Sequence, residues 1–125
     1  VCLLEVVEHS TDVDSLLRAT SALLKPRTGK LFISTMNQTL KSYLLTIVAA
    51  EHLMGYIPVG THDWNKYLSP EQIRRSAEAA APGLQQLDVQ GMVLQAPPPP
   101  IGGNWKFRLD PADLDVNWIG THQHQ

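Results

Sequence analysis

Apolar residues open the chain in a run, Val1-Cys2-Leu3-Leu4, and resume at Val6 and Val7 before Glu8 and His9. A nearly continuous apolar run predicts a strand buried on both faces, as in parallel α/β sheets, with Cys2 a small buried hydrophobe. The period then changes. Val13, Leu16, Leu17, Thr20, Leu23 and Leu24 recur at the 3.6-residue spacing of an amphipathic helix. Thr11, with Asp14 three positions on, resembles a capping box at its start, and Lys25-Pro26 with Gly29 ends it and turns the chain. Leu31 to Met36 is a second apolar run with β-branched and aromatic content, which predicts the next parallel strand. Strand, helix and strand in this order make a βαβ unit.

The stretch Lys41 to Ile57 is apolar round most of its circumference, broken by the adjacent Glu51 and His52, and ends at Gly55 and Pro58. It is too short and too charged for a bilayer span, which needs about 20 apolar residues. It predicts either a core helix or an interfacial one. Ser69-Pro70-Glu71-Gln72 is a helix start, with Ser as N-cap, Pro at the first helical position and Gln at the third. That helix runs to Ala81, before Pro82-Gly83. Leu87 and Val89 alternate as a strand does, as do Val116 to Ile119, and Trp105 to Arg108 reads as a short extra strand. Four prolines, Pro97 to Pro100, favour polyproline II within a loop.

At 125 residues this is one small domain or part of one, with 43% hydrophobic residues for a modest core. The opening inside an apolar run predicts a piece of a longer chain. A net charge of −2 without a Lys/Arg run argues against a nucleic-acid partner. The single cysteine excludes an internal disulfide.

Ligands of parallel α/β sheets gather outside the carboxyl ends of the strands, where Glu5, Glu8 and His9 fall. Carboxylate with imidazole suits a divalent cation, although Glu-x-x-Glu-His is a common string and charges also end strands at water. Ser34, Thr35 and Asn37 end the second strand on the same rim, as pocket lining or as helix caps. His62, in Gly60-Thr61-His62-Asp63-Trp64, carries an imidazole, the side chain most often used as a general base, and is a candidate for that role.

LEVVEH at Leu4 to His9, STMN at Ser34 to Asn37, KSYLLTIVAAEHLMGYIPVGTHDW at Lys41 to Trp64 and DVNW at Asp115 to Trp118 resemble, in order, the ubiquinone-biosynthesis O-methyltransferases. GTHDW is the most specific of these strings. The resemblance covers almost the whole chain but only the family's C-terminal half. It implies an α/β fold, half of a class I (Rossmann-like) domain whose mostly parallel sheet is ordered 3-2-1-4-5-7-6 with the last strand antiparallel. Residues 1–125 would supply strands 4 to 7, with 41–62 a membrane-contacting insertion. The implied activity is S-adenosylmethionine-dependent O-methylation of a polyprenylated catechol. A divalent metal, magnesium, would be held by Glu5, Glu8 and His9, and Leu4 would touch the cofactor through its backbone. Membrane contact falls to Tyr43, Leu44, Ile47, Val48 and Met54, and other ubiquinone-biosynthesis proteins are implied partners. Trp64 and Ser69-Pro70-Glu71 resemble eukaryotic members, which implies the matrix side of the mitochondrial inner membrane; a prokaryotic source would imply the cytoplasmic membrane surface. A non-catalytic scaffold fragment, or a methyltransferase of this fold with another acceptor, are the alternatives.

Overall fold

A computed structural model describes residues 1–53, 55, 58–60, 62–95 and 106–125. Five strands form one mixed sheet: β1 (Cys2–Leu4), β2 (Lys30–Met36), β3 (Leu84–Leu94), β4 (Phe107–Asp110) and β5 (Asn117–His124), in the order β1-β2-β5-β3-β4. β1 and β2 are parallel, joined through a 3₁₀ turn (Val7–His9) and helix α1 (Val13–Ser21), so the expected βαβ unit is present. The expectation of a mostly parallel sheet does not hold within this chain. β5 runs antiparallel between β2 and β3, and β4 returns antiparallel along β3, leaving one parallel pairing among the described residues.

The first strand also differs from expectation. Leu3 is buried, but Cys2 is exposed and Leu4 is 52% exposed. β1 is an edge strand that pairs with β2 alone, and it buries the Leu3 face while the face of Cys2 and Leu4 stays exposed. The chain leaves extended geometry at Glu5, whose φ of 52° lies in the left-handed region that a side chain disfavours.

The helix starts follow local chemistry. Asp12, not Thr11, caps α1, accepting from the Ser15 amide at 2.9 Å. Ser69 and Gln72 form the expected capping box of α3 (Pro70–Ala80), with Pro70 in the first turn. Leu17 of α1 and Ile73 and Ala77 of α3 press onto Leu31, Ile33, Leu84 and Trp118 of the sheet, all of them sealed from solvent. Each large apolar side chain buried there contributes about 1.5–3 kcal/mol. The indole of Trp118 donates to the Leu68 carbonyl at 2.9 Å, which satisfies its one polar atom. Leu87 departs from the expected alternation: it falls at an irregularity between Gln86 and Asp88 and is half exposed.

The apolar stretch begins as a short α2 (Leu40–Ser42), with a Thr39/Ser42 capping box, and continues as a π-helix (Tyr43–Leu53). Each turn of a π-helix closes with i→i+5 bonds rather than i→i+4. Its start is strapped down. Lys41 pairs with Asp113 at 3.1 Å and with Asp115 at 3.3 Å, while Thr46 Oγ1 lies 2.9 Å from the Tyr67 hydroxyl. Leu40, Leu44, Leu45 and Leu53 stay exposed, whereas Ile47 and Val48 are half-buried. No helix among the described residues is long and apolar enough to cross a membrane. Met54, the Tyr56-Ile57 end of the expected helix, the tetraproline and Trp105 lie outside the described residues.

Candidate functional site

The carboxyl ends of β1 and β2 build a polar rim. The Glu5 amide donates to the Ser34 carbonyl at 3.0 Å and to Ser34 Oγ at 3.2 Å, and that hydroxyl donates to Glu5 Oε1 at 2.8 Å. This reciprocal clamp holds the backbone of Glu5 in its strained conformation. One register step on, Thr35 Oγ1 donates to Glu8 Oε2 at 2.8 Å, and both residues are buried. Burial pushes the Glu5 carboxyl above its ordinary range; the Ser34 hydroxyl partly offsets this, the neighbouring Glu8 adds to it, and Asn117 draws it back down. Glu5 Oε2 is buried without a hydrogen-bond partner. Two carboxylates thus share one partly desolvated corner, each clamped by a hydroxyl from β2. Ser34 and Thr35 donate their hydroxyls to Glu5 and Glu8 rather than capping a helix, while the Asn37 side chain donates to the Leu114 carbonyl at 2.9 Å.

Glu8 opens onto a polar cleft of about 240 Å³, which His9, His62, Asp63, Lys66 and Tyr67 also line. The structure therefore brings His62 to the same cleft as Glu8 and His9. It does not assemble the expected metal-ligand set of Glu5, Glu8 and His9. No group of three His, Cys, Asp or Glu among the described residues is placed to hold an ion. Ser34 holds the Glu5 carboxylate where the chain turns left-handed, while His9, at the end of its 3₁₀ turn, is exposed. The donors have the right chemistry for a divalent cation, but their arrangement does not fit one. Leu4, the expected cofactor contact, ends β1 immediately before Glu5 on this rim.

Beside the cleft lies a larger cavity of about 430 Å³, walled mostly by apolar side chains of the π-helix, β3 and β4. His62 lines this cavity as well as the cleft, and Asn117, which reaches Glu5, lines it too. The sequence reading missed Asn117 as a site residue, although it sits in the Asp115-Val116-Asn117-Trp118 string. It also missed the Lys41–Asp113 pair at the cavity's edge, which joins segments with no periodic relation. Of the residues expected to touch a membrane, Tyr43 and Leu44 are exposed, with the Tyr43 ring edge-on to Trp64 at 6.0 Å. Ile47 and Val48 are half-buried, and Met54 lies outside the described residues.

No protein-family model matches the chain, and no solved structure matches it. Curated proteins do. The ubiquinone biosynthesis O-methyltransferase of Idiomarina loihiensis is 40% identical over 119 residues, which is 95% of this chain and 45% of that protein. The protein of the same name from Methylobacterium sp. (strain 4-46) is 39% identical over 121 residues, 97% of this chain and 45% of the relative. That of Pelagibacter ubique is 41% identical over 116 residues, 93% of this chain and 44% of the relative. The match is nearly complete on one side and less than half on the other. The chain is a relative of the ubiquinone biosynthesis O-methyltransferases and spans a little under half of their length.

Proposed function

We propose that this chain is the acceptor-side, C-terminal half of a class I S-adenosylmethionine-dependent methyltransferase that O-methylates a polyprenylated catechol in ubiquinone biosynthesis. The strand order supports the fold part of this reading. Taking β1, β2, β5 and β3 as strands 4, 5, 7 and 6 reproduces the 4-5-7-6 half of the implied sheet, including an antiparallel strand slotted beside strand 5. β4 is then an additional edge strand. The observation that carries the chemistry is the Thr35-clamped Glu8, which faces a cleft shared with His62 at the carboxyl ends of two parallel strands.

A catechol hydroxyl is a weak nucleophile at neutral pH and must lose its proton as it attacks. In this cleft His62 receives that proton, and Glu8, kept in one orientation by Thr35, accepts a hydrogen bond from the acceptor and fixes its position. S-adenosylmethionine, when bound, supplies the electrophilic methyl group, with the Leu4 backbone at its amino-acid end. Proton transfer is assigned here to the chain's own side chains. The π-helix, within the 41–62 segment, is the membrane-facing element: Leu44, Leu45 and Leu53 offer apolar surface to a lipid headgroup layer, where a prenylated acceptor resides.

The test is methyl transfer by the complete protein from labelled S-adenosylmethionine to a prenylated catechol. Glu8→Gln should lower kcat/KM by at least about 100-fold, and His62→Ala, which removes the proposed base, should do the same. Undiminished transfer by both variants would sink the assignment.

A further inference from the structure

The apolar cavity has a feature that the polar cleft does not explain. Its walls are Leu45 and Ala50 of the π-helix, Met36 at the end of β2, Met92 and Leu94 of β3, and Phe107 of β4. The charged groups among its described lining, Lys41 and Asp113, are bonded to each other at 3.1 Å, so neither is left to select a charged ligand. Its polar side chains are confined to Thr46, whose hydroxyl is already committed to the Ser42 carbonyl at 2.7 Å, and to His62 and Asn117. His62 marks where cavity and cleft meet, since it lines both hollows.

A hollow that is apolar along its walls and shares His62 with the cleft that holds Glu8 fits an amphiphile, with its polar head in that cleft and its hydrocarbon chain among the methionines. Methionine walls accommodate a flexible hydrocarbon because the unbranched thioether adapts to irregular shapes. We propose that this cavity, between the π-helix and the β3–β4 hairpin, is a binding channel for the head-proximal isoprene units of the acceptor's tail. Choosing an isoprenoid over another hydrocarbon rests on the function proposed above; the amphiphilic character rests on the cavity alone. At about 430 Å³ the cavity lies at the small end of ordinary ligand pockets. It holds a few isoprene units, and the remainder of a longer tail emerges beside the exposed Leu44 and Leu53.

The test needs no catalysis. Farnesol should bind the complete protein saturably at one site, and a diazirine analogue of farnesol should label Leu45 or Met92 on photolysis. Ala50→Phe, which fills the cavity from the helix side, should weaken farnesol binding at least tenfold. Met92→Trp, which fills it from the sheet side, should do the same, so one folded variant of the two suffices. Linear, non-saturating uptake of farnesol, or labelling confined to residues outside the cavity, overturns the proposal even if catechol methylation is observed. Saturable binding with cavity labelling upholds it even if no catechol is methylated, in which case the activity reading alone fails.

Discussion

His122 makes the fold acid-labile by a calculable amount. It sits in β5 opposite Leu31, is fully buried, and neither of its ring nitrogens has a hydrogen-bond partner. Burial pushes the imidazole down to about 4 from its ordinary 6.5, and the Leu31 backbone offsets only part of that. The folded state therefore keeps the ring neutral where the unfolded chain would protonate it. Above pH 6.5 both states are neutral and no stability is lost. As pH falls from 6.5 toward 4, the unfolded state binds the proton first and stability declines. One pKa unit corresponds to about 1.4 kcal/mol, so the loss reaches about 2 kcal/mol at pH 5 and levels off near about 3 kcal/mol below pH 4. Other groups titrate in the same range. The Glu5 carboxyl, raised by burial, favours the fold as pH falls, while Glu71, held at about 2 by Arg74 and Arg75, opposes it. Comparison with His122→Leu cancels both, because neither touches residue 122. Urea unfolding of parent and variant, followed by circular dichroism at pH 7.5, 6 and 5, gives the stability gap at each pH. The gap should move in the variant's favour by about 2 kcal/mol between pH 7.5 and pH 5. A gap that stays constant with pH refutes the reasoning.

Two further outcomes follow from the geometry. Leu44→Glu combined with Leu53→Glu changes side chains that are 49% and 77% exposed, so the fold should survive while liposome binding of the complete protein falls at least tenfold; unfolding of this variant would show that the face is core. Gly91→Ala would put a methyl carbon 1.7 Å from the Asp113 carbonyl oxygen. The crossing of β3 with the loop before β5 must then open, and denaturant unfolding should register a loss of at least about 2 kcal/mol.

Much of the frame is legible in the sequence because its determinants are local. The βαβ unit follows from two apolar runs around a 3.6-residue period, and α3 from Ser69, Pro70 and Gln72, whose capping contacts span only three residues. The first strand differs from its reading because an apolar run looks the same whether one face or two are covered, and here Cys2 and Leu4 share an exposed face. The antiparallel β5 is implied by the family resemblance and by no local pattern. β5 is rich in polar residues, with His122, Gln123 and His124, yet lies between β2 and β3 through pairings with residues far away in sequence. A segment that is apolar all round carries no periodic signal, so nothing in Tyr43–Leu53 separates i→i+5 from i→i+4 winding.

The site was legible to the same degree. Strand ends placed Glu5, Glu8, Ser34 and Thr35 on one rim, and they do meet there. The left-handed turn at Glu5 was not legible, since the Ser34 clamp that holds it comes from 29 residues away. Asn117 and the Lys41–Asp113 pair likewise arise where β2, β5 and the π-helix converge, a juxtaposition no local pattern encodes.

The most direct test of the central claim is a graft. The 119 residues of the Idiomarina loihiensis relative that match this chain are replaced by the chain itself, and transfer of labelled methyl from S-adenosylmethionine to a prenylated catechol is measured. The account predicts methyl ether formation by the hybrid, lost on Glu8→Gln. A soluble hybrid that binds S-adenosylmethionine yet transfers no methyl group would contradict it.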